Sequence, residues 1–123
     1  KNEMFFAEKN NGAFFNNHRI RVSKKNNIND CLFATNDKII NELNFPNRKS
    51  GCAALDMAYV AAGRYDGYFQ KNLNLWDIAA GIVLIKEAGG VINEIDLDNT
   101  NNIKVIATSS NINAKFKEKL IKF

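Results

Sequence analysis

The 123-residue chain has little of several residue types: one proline, one histidine, two cysteines and seven glycines. With His18 as the single histidine and no CxxC pair, a closed zinc site is excluded, because such a site needs four nitrogen or sulfur ligands. Cys31 and Cys52 are too few to indicate a disulfide framework, so cysteine usage fits a reducing cytoplasm, although pairing of these two stays open. The longest apolar run, residues 78–85, is far shorter than the about 18–20 residues of a membrane span.

Several motifs are also missing. The sequence contains no GxSxG, no Walker loop and no GxGxxG, which removes the usual signatures of serine hydrolases, P-loop NTPases and dinucleotide-binding proteins. Residues 1–6 include an early acid and no sustained apolar stretch, so we expect no signal peptide. Position 1 is not methionine, and we therefore expect a processed or otherwise derived product, or a piece of something longer.

What is present is typical of one soluble globular domain: 46% hydrophobic, 11% aromatic and 24% charged residues. Seventeen basic and thirteen acidic residues give a formal charge of +4, which permits attraction to phosphates without requiring a nucleic-acid partner. The basic residues are scattered among acids and are interpreted mainly as solvated surface. An exposed hairpin carrying Arg19, Arg21, Lys24 and Lys25 leaves contact with RNA open.

Hydrophobic periodicity predicts extended structure first and helices later. The predicted strands are residues 4–8, 13–15, 19–23, 31–35, 68–69, 91–95 and 104–108. The predicted helices are 37–45, ended by Pro46; 53–62, capped by Ser50 and followed by Gly63; 76–88, ended by Gly89 and Gly90; and a last helix with Ile112, Phe116 and Leu120 on one stripe. These elements predict an α/β or α+β fold, with a mixed sheet flanked by helices.

Asp77 is placed in the first turn of the very apolar helix 76–88. A carboxylate there is favoured by the helix dipole and is a suitable ligand for a hard cation such as Mg²⁺. The ordinary alternative is a helix-start Asp that only stabilises its own helix. Residues 50–54 offer small side chains and bare N–H groups at another helix start, which suits either an oxygen-ligand cradle or close helix packing. Gln70 stands seven residues before Asp77 and is able to reach the same pocket.

Residues 51–63 (GCAALDMAYVAAG), 76–81 (WDIAAG) and 87–90 (EAGG) together resemble the inositol monophosphatase family, in particular its bacterial SuhB-type branch. Residues 12–14 and 19–23 also look like the family's hairpin. The similarity covers nearly the whole chain but corresponds only to the C-terminal half of the family. It implies a layered αβαβα fold and a cytoplasmic, commonly homodimeric, Mg²⁺-dependent phosphomonoesterase with no membrane association.

The resemblance also assigns residues. Asp77 matches a family metal ligand that contacts a substrate hydroxyl beside the scissile ester. Gly51, Cys52 and Ala53 match the backbone segment that lines the inositol pocket. Gln70 occupies a position where many members have a Glu that binds the inositol ring, and its neutral amide still donates and accepts hydrogen bonds.

The sequence departs from the family in two ways. The family's other metal ligands lie in an upstream acidic helix and a DPxDGTxNF-type loop, and neither pattern occurs in these residues. The stretch 35–48 also looks shorter than usual. We therefore expect residues 1–123 to be a C-terminal domain without the N-terminal metal-binding half, inactive on its own toward inositol monophosphate or a related phosphate monoester. The alternatives are a non-catalytic SuhB-like module that contacts RNA, protein or the transcription machinery, and a degenerate gene fragment.

Overall fold

Two sheets and four helices make up the part of the chain that the structure describes. The structure is a computed structural model and describes residues 3–48 and 51–120, apart from the side chain of Asn41. A three-stranded antiparallel sheet comes first, and a five-stranded mixed sheet with helices on both faces follows. This architecture confirms the predicted α/β class with a mixed sheet flanked by helices.

The N-terminal sheet is a hairpin extended by one very short strand. Its strands are β1 (Phe5–Glu8), β2 (Gly12–Phe15) and β3 (His18–Arg19). The prediction of a longer third strand, residues 19–23, is wrong beyond Arg19. The N–H of Ile20 still donates to the carbonyl of Ala13 in β2 at 2.9 Å, but the N–H of Val22 donates to the carbonyl of Ala88, 3.0 Å away, outside the sheet.

The five-stranded sheet has the order β5-β4-β6-β8-β7. Its strands are β4 (Phe33–Ala34), β5 (Asn47–Arg48), β6 (Gly67–Leu73), β7 (Val91–Ile92) and β8 (Ile103–Thr108). Strand β4 runs parallel to both of its neighbours, whereas β8 is antiparallel to both of its own. Strand β6 is longer than predicted, and β4 and β7 are shorter.

The helices follow the predicted pattern with changes at their ends. They are α1 (Ile40–Leu43), α2 (Ala53–Ala61), α3 (Leu75–Glu87) and α4 (Asn113–Lys119). Gly63 follows α2 with φ +77°, the left-handed conformation that the sequence predicted there. Helix α1 ends earlier than predicted, because Asn44 rather than Pro46 reverses the chain, with φ +60°. The predicted cap Ser50 lies outside the described residues, and Cys52 is the N-cap residue of α2.

Alternate residues of the central strands face opposite layers. Tyr68 packs with α2 and α3, while its neighbour Phe69 packs with α4 on the other face. Helices α2 and α3 approach closely at Gly81, where a Cβ atom would lie 2.8 Å from the Cβ of Met57. Helix α3 is apolar along most of its length, yet Trp76, Ala79 and Ala80 are exposed.

The hairpin lies on α3. Phe5 and Ala7 of β1 pack against the same core as the helix. The layers are therefore α4, the five-stranded sheet, the α2–α3 pair and the three-stranded sheet. None of the helices in the described part of the chain has both the length and the apolar character that a membrane crossing requires.

Candidate functional site

A cavity of about 400 Å³ lies where α2 and α3 begin. Its lining consists of Gly51, Cys52, Ala53, Ala54, Leu73, Trp76 and Asp77. The structure therefore brings together four of the five residues singled out from the sequence, namely Gly51, Cys52, Ala53 and Asp77. The arrangement puts one carboxylate beside the start of a second helix.

The α2 side of the cavity is made of backbone and small side chains. Gly51 has φ +78°, and no atom lies within 4 Å of the position where a Cβ would stand. The next residue, Cys52, is extended, and its side chain makes no capping hydrogen bond to the helix within the described residues. Because the first N–H groups of a helix have no partner inside it, this edge suits anionic or hydroxyl oxygens.

The α3 side contributes the charge. Asp77 lies in the first turn of α3 and is exposed, and its N–H donates to the carbonyl of Asn74 at 3.0 Å. One residue later Ile78 is fully buried, and Ile85 is buried two turns further on. The helix is thus anchored in the core while its first turn presents a carboxylate to the cavity.

Gln70 is not among the residues that line this cavity. Its Oε1 atom accepts hydrogen bonds from the N–H of Asn36 at 2.8 Å and from the hydroxyl of Thr35 at 3.3 Å. The amide oxygen is therefore engaged by the connection between β4 and α1. Its predicted role in binding substrate stays a prediction.

The described residues provide an incomplete metal site. No group of three or more His, Cys, Asp or Glu side chains in this part of the chain is placed to hold a metal ion. Mg²⁺ requires several oxygen ligands in octahedral geometry, and it usually binds one or two carboxylates together with waters and substrate phosphates. The exposed Asp77 fits such an ion as one ligand of a larger set.

Two lining residues, Leu73 and Trp76, were not identified from the sequence, whereas Ala54 belongs to the predicted segment 50–54. The position of Leu73 follows from the length of β6, which periodicity does not resolve. Trp76 is 81% exposed beside Asp77. A tryptophan at the start of an apolar helix is expected to be buried, so no sequence pattern indicated that Trp76 is exposed.

Neither Cys31 nor Cys52 is in a disulfide, which answers the question of pairing that the sequence left open. Cys52 is exposed at the cavity. Cys31 is buried, and this burial, followed by the nearby charge of Asp66, raises the pKa of its thiol to about 11. Of the two thiols, only that of Cys52 is accessible to a reagent.

Two acidic residues, Asp66 and Asp56, are buried and lie outside the lining of the cavity. Asp66 is buried, and its Oδ2 accepts from the N–H of Leu32 at 2.8 Å and from the ammonium of Lys25 at 3.2 Å. Asp56 is buried near Tyr68, whose phenol pKa is raised by burial and then by the Asp56 charge. Neither acid lines the cavity.

The four basic residues of the predicted RNA-binding hairpin have different surroundings in the structure. Lys25 is engaged by Asp66, while the Arg19 guanidinium lies 6.0 Å from the centre of the Phe14 ring. Arg21 and Lys24 line a separate cavity of about 330 Å³ together with Gly89. The four cations therefore do not form one patch of equivalent groups.

Comparison with known proteins identifies the family of the chain. The model of the inositol monophosphatase family matches residues 1–122. An inositol-1-monophosphatase of Caulobacter vibrioides is 33% identical over 138 residues, covering 97% of this chain and 54% of that protein. The Nus factor SuhB of Escherichia coli is 39% identical over 110 residues, covering 76% of this chain and 41% of that protein.

Solved structures show the same relationship. The inositol monophosphatase of Thermotoga maritima superposes with a TM-score of 0.87 at 35% identity, covering 98% of this chain and 52% of that one. The chain spans about half the length of these relatives. The extent of the family match, the identities and the shared fold together show that the chain belongs to the inositol monophosphatase family.

Proposed function

We propose that this chain is the C-terminal portion of a cytoplasmic, Mg²⁺-dependent phosphomonoesterase, which hydrolyses inositol monophosphate or a related sugar phosphate to an alcohol and inorganic phosphate. The observation that carries the proposal is the single cavity that joins Asp77 to residues 51–54. A site of this class needs ligands for a divalent cation and a surface that orients the alcohol. The cavity offers one such ligand, the Asp77 carboxylate, and one such surface, the backbone of residues 51–54.

The proposed roles follow from the chemistry of the lining. Asp77 donates a carboxylate oxygen to a divalent cation and accepts a hydrogen bond from the substrate hydroxyl next to the ester. The backbone of Gly51, Cys52 and Ala53 orients the ring of the alcohol, because small residues let a ring approach the backbone closely. When bound, Mg²⁺ supplies charge neutralisation at the phosphoryl oxygens and lowers the pKa of a coordinated water.

The incomplete ligand set leads to the second part of the proposal. One carboxylate does not fix an octahedral ion, so the isolated chain is inactive and the remaining ligands come from the half of the family fold that it does not span. We also infer a homodimer from the family resemblance.

The experiment joins the N-terminal half of the Thermotoga maritima enzyme ahead of Lys1 and measures Mg²⁺-dependent release of phosphate from inositol 1-phosphate. We expect release by the fusion, none by the 123 residues alone, and a loss of at least about 100-fold in kcat/KM for Asp77→Asn in the fusion. Asp98→Asn, the same change at an exposed acid in the loop before β8, is the matched control and should keep the activity.

Two results would contradict the proposal. Full activity of the Asp77→Asn fusion would remove the metal-ligand role. Full activity of the 123 residues alone would remove the claim that the chain is inactive by itself.

A second candidate function is supported by the relatives that carry the name Nus factor SuhB. In that case the chain binds RNA or a transcription protein without catalysis, and Arg21 and Lys24 supply cations beside the 330 Å³ cavity. A salt-dependent RNA shift that is lost in an Arg21→Gln/Lys24→Gln variant supports this function. A shift that both wild type and variant show at equal salt contradicts it.

A further inference from the structure

The turn between β1 and β2 contains a chemically reactive pair of residues. Asn11 and Gly12 form the one Asn-Gly dipeptide in the 123 residues. Asn11 is exposed and is the last residue of the turn before β2 begins at Gly12. In such a pair the glycine nitrogen is able to attack the side-chain amide carbon of the asparagine, because glycine carries no Cβ that obstructs the approach. This reaction is one reason why asparagine is a thermolabile residue.

The fold requires glycine at position 12. Gly12 has φ +90°, a left-handed conformation that strains other residues. A Cβ atom there would lie 2.8 Å from both Cζ and Nε of Arg19, so the guanidinium group covers this side of the turn. Another residue at position 12 would therefore disturb the hairpin, and the reactive pair is a consequence of how the chain turns.

Glu87 of α3 holds the backbone on both sides of Asn11. Its Oε1 atom accepts a hydrogen bond from the N–H of Gly12 at 2.8 Å, and its Oε2 atom accepts one from the N–H of Asn10 at 2.8 Å. The ionised oxygens make these bonds stronger than bonds between neutral groups. The attacking nitrogen is thus engaged, and the turn that carries it is fixed to the helix.

The side chain of Asn11 is held much less firmly. Its Nδ2 atom lies 3.4 Å from the Oε1 atom of Glu8, which is beyond the usual hydrogen-bond range. Rotation of the exposed amide toward Gly12 therefore breaks one weak contact. The two hydrogen bonds to Glu87 are consequently the stronger restraint on the pair.

We propose that Asn11 is a modification site, which converts to aspartate or isoaspartate by cyclisation onto Gly12, and that Glu87 controls the rate. The reaction follows opening of the two hydrogen bonds to Glu87. The Gly12 nitrogen gives its proton to a solvent base and forms a bond to Cγ of Asn11, while the bond from Cγ to Nδ2 breaks and ammonia leaves with a proton from water. Water then opens the resulting five-membered imide at one of its two carbonyl carbons.

Both products oppose closure of the turn onto α3. Each places a new carboxylate at residue 11, close to those of Glu8 and Glu87, and like charges repel. Isoaspartate also adds one carbon to the main chain between residues 11 and 12, which disturbs the pairing of Glu8 with Gly12. Conversion therefore releases the hairpin turn from α3 in one direction only. This inference does not depend on the proposed phosphatase function.

The rate of conversion is measured on the 123 residues by peptide mass spectrometry during incubation at mildly alkaline pH. Wild type is compared with Glu87→Gln, whose amide has one acceptor oxygen and keeps at most one of the two hydrogen bonds. We expect Asn11 to convert about tenfold faster in native Glu87→Gln than in native wild type, and at equal rates in both when they are unfolded in urea.

Three controls separate this local effect from general loosening of the chain. Glu118→Gln makes the same change at an exposed position of α4. Ile112→Val lowers stability at a fully buried position in another layer. In both variants Asn11 should convert at the wild-type rate. Asn17, which is exposed in the next turn and followed by His18, should convert far more slowly than Asn11 in urea, because the histidine side chain obstructs the attack.

Equal native rates in wild type and Glu87→Gln would overturn control by Glu87. The same holds if native wild type converts as fast as in urea, or if Ile112→Val converts as fast as Glu87→Gln. Absence of conversion at Asn11 in urea would overturn the modification site. Amide hydrogen exchange of the purified product tests the release of the turn: we expect faster exchange at Asn10 and Gly12, and unchanged exchange would overturn it.

Discussion

The two faces of the five-stranded sheet are packed with side chains of different sizes. On the α4 face, aromatic rings fill the space: Phe33 and Phe116 stack with centroids 4.3 Å apart, and Phe69 lies 5.4 Å from Phe116. On the α2–α3 face, small residues allow backbones to approach, with Gly81 against Met57. The candidate site lies at the edge of the second face.

This difference separates stability from site geometry. Large buried rings contribute much of the burial energy. A close helix contact contributes less burial, but it fixes the distance between the starts of α2 and α3, where residues 52–54 and Asp77 line one cavity. We therefore expect changes on the α4 face to affect unfolding most, and changes on the α2–α3 face to affect the site.

The largest loss of stability is expected from Phe116→Ala. Phe116 is fully buried and contacts three other phenylalanine rings, so truncation should lower the free energy of unfolding by about 3–5 kcal/mol. Urea unfolding measures the change, with Phe6→Ala at the half-exposed Phe6 as the matched control. The indole N–H resonance of Trp76, the one tryptophan of the chain, should not shift. A loss below that of the Phe6 control would contradict the comparison.

An intermediate effect is expected from Gly81→Ala. Helix propensity alone favours alanine, but the added Cβ would lie 2.8 Å from both the Cβ and the sulfur of Met57. We expect a net loss of about 1–3 kcal/mol in the free energy of unfolding, because the helices must separate. Here the Trp76 indole resonance should shift. The same substitution in a Met57→Ala background should cost less, and a stabilised Gly81→Ala protein would refute the close contact.

A smaller effect is expected where α3 meets the hairpin. Glu87 accepts hydrogen bonds from the N–H groups of Asn10 and Gly12, both at 2.8 Å, and these bonds lower the pKa of its carboxyl. The ionised form is thus favoured in the folded protein. This contribution to stability is present above the ordinary glutamate pKa and is lost as the pH falls through the lowered value.

The measurement is a pH titration of the Asn10 and Gly12 amide resonances. We expect both to shift on acidification and to stop titrating in Glu87→Gln. Glu118→Gln, at an exposed position of α4, is the control that should leave both curves unchanged. Flat curves in the wild type would show that Glu87 does not hold the hairpin turn.

The sequence predicted those parts of the fold that depend on local pattern. The buried stripe Ile112, Phe116 and Leu120 follows from four-residue spacing, and all three side chains are buried. Gly63 and Gly89 end their helices in left-handed conformations, as glycine after an apolar helix predicts. The meeting of Asp77 with Gly51 followed from two helix starts and the family resemblance, not from spacing.

The remaining features depend on tertiary contacts. Residues 20–23 alternate like a strand, but after Ile20 the chain bonds outside the sheet, with the N–H of Val22 donating to the carbonyl of Ala88. The engagement of Gln70 by Thr35 and Asn36 requires strand neighbours 35 residues apart in the sequence. The exposure of Trp76 depends on which residues pack around α3, and periodicity carries no information about that.

The central claim is that the Asp77 carboxylate holds a divalent cation at the cavity formed by the starts of α2 and α3. Mn²⁺, which prefers the same oxygen ligands as Mg²⁺, broadens nearby NMR signals even when it binds weakly. Titrated into the 123 residues, it should broaden the Trp76 indole and the amides of residues 52–54 first, and Asp77→Asn should remove this effect. Equal broadening in Asp77→Asn, or broadening centred on the Asp96 and Asp98 loop, would contradict the account.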